Sequence, residues 1–550
     1  MRRSIYIQIK FRRQFKIVGL LIMVPFIACS ETYQVPFDNK RPNILLLVAD
    51  DLGYSDLGCY GGDIDTPNID ELAAKGILFS RFHTAPMCAP TRAMLLTGND
   101  NHIAGIGRQN LRTEVFGYEG HLSNRVAALP SLLQKSGYHT YMTGKWHLGN
   151  NKKDNPHNNG FENSFVLLEG VGNHFSRQGI FKESPESHYT LDGNVTTWPE
   201  GQYSTDLYTD KLIEYINNNK DDEKPFFAYA AYTSPHWPLQ VSETYWKKYE
   251  GQYDEGYEKL RDQRLHNLIE KGLIPKDTGL PLQNDRLVSW GSLTEDEKHK
   301  ESRKMELYAG MVDNLDENIG RIIQYLKDIG EYENTFIVFM SDNGAAGEDY
   351  FNNPNIRPHI SDYYVDDFEV MGEPNSLVSY GAPWAEASTS PFRDFKEFTS
   401  NGGILAPLII SGPMIERTNQ IHHGFATVMD LAPTFIELAK TIYPKRQNGH
   451  KLYPMKGFSM LPFVKGESKN IHTPEYVFSL EHSGYTMLRK GFWKITNTQY
   501  PFSEANFELF DLSKDISERY DLKEAFPEKY RELLEEWDKF SKDTKLQLKR

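Results

Sequence analysis

Several stretches of this chain are apolar at nearly every position over the length of a β-strand, and each is followed closely by charged or amide side chains. Asn43-Ile44-Leu45-Leu46-Leu47-Val48-Ala49 runs into Asp50-Asp51; Gly137–Met142 precedes Lys145; Pro225–Tyr232 precedes His236; Thr335–Met340 precedes Asp342-Asn343; Leu408-Ile409-Ile410 is a later run. A strand apolar on both faces must be covered on both faces, which is the condition of a parallel sheet between helices. Helical spacing fits between the runs: Ile69–Lys75 stopped by Gly76, Leu129–Lys135, and Asp313–Asp328 through Leu315, Ile319, Ile322, Ile323 and Leu326. The expected fold is α/β, with a large, mainly parallel sheet flanked by helices. Ligands of such sheets bind beyond the carboxyl ends of the strands. The polar residues after these runs are therefore expected to converge on one site.

From about Leu461 the pattern changes. Tyr476–Ser479, Tyr485–Arg489, Trp493–Thr496 and Phe507–Leu512 are short strand-like pieces, and Pro527–Lys542 is an amphipathic helix. This predicts residues 41–460 as a catalytic domain and 461–550 as a subdomain with a small antiparallel sheet and a covering helix. Glu243–His299 reads as a helical insertion. Glu348–Glu386 reads as a long polar loop, of the kind that is usually functional or mobile. At the N-terminus, Arg2, Arg3, Lys10, Arg12, Arg13 and Lys16 precede an apolar run, Ile17–Ala28, too short to span a bilayer. Phe26-Ile27-Ala28-Cys29 resembles a bacterial lipobox, with Phe26 where Leu is usual. The expectation is a lipoprotein signal peptide over 1–28 and an exported bacterial protein, periplasmic or at the cell surface, held to a membrane only by lipid on Cys29.

Composition narrows the function. With 61 basic against 75 acidic residues the net charge is −14, which argues against a nucleic-acid partner. Three cysteines exclude a disulfide scaffold; Cys59 reads as a structural thiol. Asp50 and Asp51 at one strand end repel by roughly 4 kcal/mol at about 4 Å and an effective dielectric of about 20. A cation or a shared proton relieves that repulsion. With Asp342-Asn343 at a second strand end, the oxygen-only donors suit Ca²⁺ or Mg²⁺. In Cys88-Ala89-Pro90-Thr91-Arg92, a helix start and a guanidinium favour an anion at position 88, hence a thiolate nucleophile; the alternative is a buried free thiol. Taken singly, Lys145 is a turn residue, His236 a strand cap and Lys396 a surface charge. His83, His102 and His139 read as structural, with a cleft-lining alternative for His102. The adjacent His422 and His423 point apart and also read as structural.

Cys88-Ala89-Pro90-Thr91-Arg92, continuing into Ala93-Met94-Leu95-Leu96-Thr97-Gly98, resembles the signature of the type I, formylglycine-dependent sulfatases of the alkaline phosphatase superfamily. Further blocks follow the same family in order: Asn43 to Gly53, Gly144-Lys145-Trp146-His147-Leu148-Gly149, Ser234-Pro235-His236-Trp237-Pro238, Ser341-Asp342-Asn343-Gly344, and Ser390 to Lys396 with Gly402-Gly403. The resemblance spans Asn43 to Leu522. Gly98–His102 and Ala382–Ala385 place it near the bacterial arylsulfatase branch. It implies a sulfuric ester hydrolase in which a maturation enzyme converts Cys88 to formylglycine. Asp50, Asp51, Asp342 and Asn343 would hold Ca²⁺, with Mg²⁺ less favoured, and residue 88 would also contact the ion. Arg92 would steady the hydroxyls of residue 88, Lys145 and Lys396 would neutralise sulfuryl oxygens, His236 would protonate the leaving alcohol, and His147 would accept a proton during sulfate release. Asn401 departs from the family, which often has Glu there, and implies an altered structural or rim contact. An exported lipoprotein of this kind points to a sulfated carbohydrate of mucin, glycosaminoglycan or algal type, galactose-linked sulfate foremost, with the two long insertions shaping the alcohol side. The rival readings are a phosphate-ester or phosphonate hydrolase, which usually carries Thr or Ser as nucleophile, and a non-catalytic sulfated-glycan-binding lipoprotein, which would not need His147 and His236.

Overall fold

The apolar runs form the centre of a ten-stranded sheet. The computed structural model describes residues 41–548 except 183, 282–286, 350, 352, 355–356, 413–414 and 416. The signal peptide and the Cys29 anchor lie outside the described residues. Among those described, no helix is long and apolar enough to cross a membrane.

The sheet comprises β1 (Asn43–Ala49), β2 (Ile77–Phe79), β3 (His139–Lys145), β4 (Asn163–Leu167), β5 (Tyr189–Leu191), β6 (Asn194–Thr196), β7 (Phe226–Ala231), β8 (Thr335–Ser341), β9 (Leu408–Ser411) and β10 (Gln420–His422). Their order is β10-β2-β9-β8-β1-β7-β3-β4-β5-β6. The central block β8-β1-β7-β3-β4 is parallel throughout. β9 joins it antiparallel on one side and β5 on the other, with β6 antiparallel to β5 in turn. Every residue of β1 is buried, and its alternation divides the core in two. Leu45, Leu47 and Ala49 enter one apolar cluster; Ile44, Leu46 and Val48 enter the other. Each fully buried Leu or Ile contributes about 1.5–3 kcal/mol, so this one strand is strongly held in register.

The helices longer than four residues are, among the described residues, α1 (Pro67–Ala74), α2 (Cys88–Thr97), α3 (Leu129–Lys135), α4 (Ser204–Asn218), α5 (Tyr257–Glu270), α6 (Glu295–Asp328), α7 (Gly381–Ser388), α8 (Leu431–Leu438) and α9 (Pro527–Thr544). Helices α1, α4 and α6 cover the first face; α2, α3 and α8 cover the second. Helix α6 starts well before the apolar stripe that predicts it. Its first turns, Glu295 to Lys304, are charged, and a reciprocal Thr294–Glu297 capping box fixes the start.

Toward the C-terminus, β11 (Val477–His482), β12 (Tyr485–Lys490), β13 (Trp493–Asn497) and β14 (Glu508–Asp511) form an antiparallel sheet in that order. One face packs Leu488, Ile495 and Leu509 under Leu533, Trp537 and Phe540 of α9. The other sends Phe478, Leu480 and Met487 into the second core. The buried Lys494–Glu518 pair, 2.5 Å apart, anchors the seam. Lys494 also donates to Asn401 Oδ1, while Asn401 N–H donates to Glu518 and its Nδ2 to the Ile516 carbonyl. Asn401 thus sits in a buried structural contact, tied to Lys494, Glu518 and Ile516.

Candidate active site

Register alone brings four strand ends together. Ala49 lies opposite Ser341, Val48 opposite Ala231, and Ala231 opposite Gly144. One residue further on, Asp50, Asp342 and Lys145 are neighbours, and Asp50 N–H donates to the Ser234 carbonyl just before the His236 turn. Gly144 has φ +96° and its Cα sits so close to the Ala231 carbonyl that a Cβ would lie 1.8 Å from that oxygen, so a larger residue there would disturb the approach of β3. Asp51 itself is turned to φ 65°, in the left-handed region. Asp tolerates that region better than most residues, and held strain of this kind concentrates at functional sites.

Cys88 is the first residue of α2 and is fully buried. Its thiol lies 3.4 Å from Asp50 Oδ1 and 3.8 Å from Asp51 Oδ1. Arg92, one turn along, donates through Nε and Nη2 to Asp342 Oδ2 at 3.0 and 2.7 Å and through Nη1 to the Lys145 carbonyl at 2.8 Å. Lys145 Nζ bridges both oxygens of Asp50 at 2.9 and 2.7 Å. Lys396 Nζ meets Asp51 Oδ2 at 2.8 Å and Glu348 at 3.1 Å. His236 Nδ1–H donates to the Trp237 carbonyl at 2.6 Å, which leaves Nε2 facing Asp51 Oδ2 at 3.3 Å and Lys396 Nζ at 3.4 Å. His147, at φ 56°, places Nε2 3.3 Å from Asn110 Oδ1. A Cβ at Gly170 would lie 2.3 Å from the His147 ring, so only glycine leaves that ring its space.

The electrostatics follow. Burial opposes charge on Asp51, but Lys396, His236 and Lys145 hold its carboxyl below the usual range. Burial and Asp50 push Asp342 up to about 6 against the pull of Arg92. Burial, reinforced by Lys396 and Lys145, pushes His236 down to about 4 despite Asp51. Burial and then Lys145 and Arg92 push His147 well below the usual range. The thiolate expected from the helix start and guanidinium is not favoured. Burial and Asp342 raise the Cys88 thiol well above its ordinary range despite Lys145 and Lys396.

Asp50, Asp51, Cys88 and His236 each offer a ligand atom within 4.8 Å of the others, a group able to hold a metal. Asp342 and Asn343 adjoin it: Asp342 Oδ1 accepts the Asp51 N–H at 3.3 Å, and Asn343 Nδ2 donates to Asp51 Oδ1 at 2.6 Å. Asn343 Oδ1 is buried without a hydrogen-bond partner among the described residues. A buried orphan carbonyl oxygen beside three carboxylates fits a hard divalent cation. The softer sulfur–nitrogen part of the group is the poorer reading, since His236 Nε2 also borders the cavity. Four carboxylates (Asp50, Asp51, Asp342 and Glu348) meet three cations (Arg92, Lys145, Lys396). Adding a divalent ion leaves one positive charge in excess, matched to an arriving monoanion.

A cavity of about 410 Å³ opens onto His147, His236 and Lys396. Gln109, Asn110, Glu169, Trp237 and Glu348 line it. Of these, only Trp237 sits in a motif legible in the sequence; the others lie in loops without periodic signal. His174, also missed, is buried and braces the turn, with Nε2 3.1 Å from the His236 carbonyl and Nδ1 2.7 Å from Ser204 Oγ. Of the two insertions, Glu348–Glu386 contributes Glu348, and its Ile360, Tyr364 and Leu377 pack against Ile180 and Trp237 behind the cavity. No described residue of Glu243–His299 lines the cavity. Its α5 is used structurally, through Arg264 bound to Asp56 and Asp63. His102 lines no cleft: it is buried, paired with Glu481 at 2.9 Å. His83, His139, His422 and His423 lie outside this cavity too: His83 meets Arg489, His139 bridges Glu162 and Asp222, His422 packs on Phe463, and His423 meets Ser80. Cys59 lies beside Asp70.

The family model for sulfatases matches residues 42–441. The chain therefore belongs to the sulfatase family, and it is a sulfuric ester hydrolase. It is 40% identical over 527 residues to an uncharacterised sulfatase of Schizosaccharomyces pombe, covering 92% of this chain and 94% of that one. It is 36% identical over 430 residues to an arylsulfatase of Klebsiella aerogenes, covering 76% and 91%. The crystal structure of Ps i-CgsB superposes with a TM-score of 0.66 at 25% identity, covering 92% of this chain and 94% of that chain. The chain thus has the alkaline-phosphatase-like sulfatase fold, with its mixed, mainly parallel sheet and a small antiparallel sheet toward the C-terminus.

Proposed function

We propose that this sulfatase cleaves sulfate monoesters of a sugar, using formylglycine made from Cys88 and a calcium ion held by Asp50, Asp51, Asp342 and Asn343. The observation that carries the reading is the arrangement around Cys88: acidic strand ends on one side, Lys145, Lys396 and His236 on the other, at the floor of a polar cavity. The hydrated aldehyde supplies two hydroxyls, one to displace the alcohol at sulfur and one whose collapse to the carbonyl releases sulfate. Calcium, with magnesium the second candidate, would be held by Asp50, Asp51, Asp342 and Asn343 and would supply Lewis-acid activation there.

The chain's own residues do the rest. Lys145 and Lys396 are preorganised cations aimed at the oxygens on which charge develops. Arg92, fixed by Asp342, steadies residue 88. His236, its Nδ1 locked on the Trp237 carbonyl, presents Nε2 to the leaving oxygen and hands it a proton; the arriving anion favours the protonated ring. His147, with Nδ1 buried and unpartnered, takes a proton as sulfate leaves. Gln109, Asn110 and Glu169 offer the paired donors and acceptors that sugar hydroxyls need, and Trp237 offers a ring face. Because Cys88 is fully buried, its maturation enzyme acts before folding is complete. Export as a lipoprotein anchored at Cys29, and a boundary near residue 460 between catalytic domain and C-terminal subdomain, complete the proposal.

The test is the release of sulfate from an aryl sulfate against release of phosphate from the matched aryl phosphate, followed by defined sugar sulfates, galactose sulfates first. Preference for sulfate and turnover of a sugar sulfate are expected. Preference for phosphate returns the phosphohydrolase reading; binding without turnover by protein carrying the aldehyde returns the binding module; turnover of phenolic sulfates alone removes the sugar.

A further inference from the structure

A second cavity, of about 530 Å³, lies beside the first, and the two share walls one residue thick. Arg108 lines the second and Gln109 the first; Glu397 lines the second and Lys396 the first. Consecutive Cα atoms are 3.8 Å apart, so at both places the partition is a single step of backbone. That partition is pinned. Lys396 N–H donates to the Ala345 carbonyl and Glu397 N–H to the Pro86 carbonyl, two residues before Cys88. Glu397 is held at φ 82°, a conformation that L residues adopt at a cost of about 1–3 kcal/mol and that clusters at ligand sites. Gln109 Oε1 accepts the Ala89 N–H at the start of α2. Two ridge residues are thus tied directly to the catalytic helix and its approach.

The far wall comes from the C-terminal sheet and its surroundings: Glu481, His482, Ser483, Tyr485 and Tyr500. Tyr500 is 60% exposed and so offers a ring face at the rim at no cost to the core. The charges here differ in kind from those of the first cavity. Arg108, exposed and in no ion pair among the described residues, faces two carboxylates. One of them, Glu481, is paired with buried His102. Burial and Glu348 push the other, Glu397, up to about 7 against the pull of Lys396. Tyrosine faces, hydroxyls, one guanidinium and carboxyl groups suit a neutral, hydroxyl-rich ring. Among the described residues that line this cavity, Arg108 is the one Lys or Arg side chain, against the paired lysines of the catalytic site.

We propose that this cavity binds the neutral sugar next to the sulfated one, so that the substrate is an oligosaccharide chain with widely spaced sulfates rather than a densely sulfated one. The inference rests on the sugar sulfatase reading above and specifies its substrate class. Arg108, Tyr485 and Tyr500 are specificity residues in this reading and take no part in the chemistry at position 88.

The experiment compares kcat/KM for four probes on the mature, metal-loaded full chain: 4-nitrophenyl sulfate, a sulfated monosaccharide, the same sugar joined to a neutral sugar, and the corresponding disaccharide with sulfate on both rings. The singly sulfated disaccharide is expected to exceed the monosaccharide by about tenfold, the equivalent of one good contact of about 1.4 kcal/mol, and the doubly sulfated one is expected to lose that gain. Tyr500→Ala, and separately Arg108→Ala, should raise KM for the disaccharide several-fold and leave 4-nitrophenyl sulfate unchanged. Both side chains are exposed, so the fold survives their removal. Equal rates on mono- and disaccharide, unaltered in both variants, overturn this inference while the sugar reading stands. Faster cleavage of the doubly sulfated disaccharide also overturns it. Turnover of 4-nitrophenyl sulfate with none of any sugar fails the sugar reading itself.

Discussion

His236 and Asn343 separate the chemistry from the scaffold most sharply. A proton donor matters in proportion to the basicity of the leaving group. His236→Ala is therefore expected to lower kcat by about 10²–10⁴ on a sugar or alkyl sulfate, and by much less on 4-nitrophenyl sulfate, whose phenolate leaves unaided. An equal loss on both substrates would count against the acid role. Asn343 Oδ1 is a buried acceptor with no partner among the described residues. Stripping the protein with a chelator should lower its melting temperature and calcium should restore it, since a ligand bound only to the folded state stabilises by mass action. In Asn343→Leu the calcium-dependent rise should shrink; an undiminished rise would place the ion elsewhere. Asp50, Asp51, Asp342 and Asn343 were legible because each follows an apolar run, and strand ends are where such sheets bind. Lys145, His236 and Lys396 read alone as a turn residue, a strand cap and a surface charge, and their motif context, like that of His147, is what marks them. Asn110, Glu169 and Glu348 were not legible, since loop residues carry no periodicity and reach the cavity only through tertiary packing.

At the scale of elements, the parallel block was readable from continuous apolar runs, while the antiparallel joining of β9 to β8 was not, because two-sided burial looks the same in either direction. The early start of α6 was hidden because its first turns touch solvent and need no apolar stripe. The link between the Asn101–Ala104 turn of helix and β11 makes a pH prediction. His102 is buried, where desolvation opposes its charge, but Asp100 and Glu481 raise it to about 9. Unfolded histidine titrates near 6.5. A folded value above the unfolded one means stability fully present below about 6.5 and lost as pH rises through about 9. The stability difference between the wild type and His102→Gln, from denaturant midpoints, should be largest near pH 6 and close above pH 9. A difference that widens with pH would have the wrong sign.

Across the whole molecule, the small sheet serves the large one: it closes the second core with Phe478, Leu480 and Met487 and supplies the wall of the second cavity. Its seam holds the fully buried Lys494–Glu518 pair. Removing one partner leaves the other charge uncompensated, which costs about 3–5 kcal/mol. Glu518→Gln should therefore lower unfolding free energy by that order, and a change below about 1 kcal/mol, the range of an exposed pair, would show the seam to be incidental. All of these arrangements position one side chain, the residue at 88. The most direct test is the mass of the tryptic peptide Phe82–Arg92 from active protein, measured alongside sulfate release across preparations of differing maturity. The account predicts an aldehyde in place of the cysteine thiol and activity proportional to the aldehyde fraction; full activity in protein whose peptide carries only the thiol would contradict it.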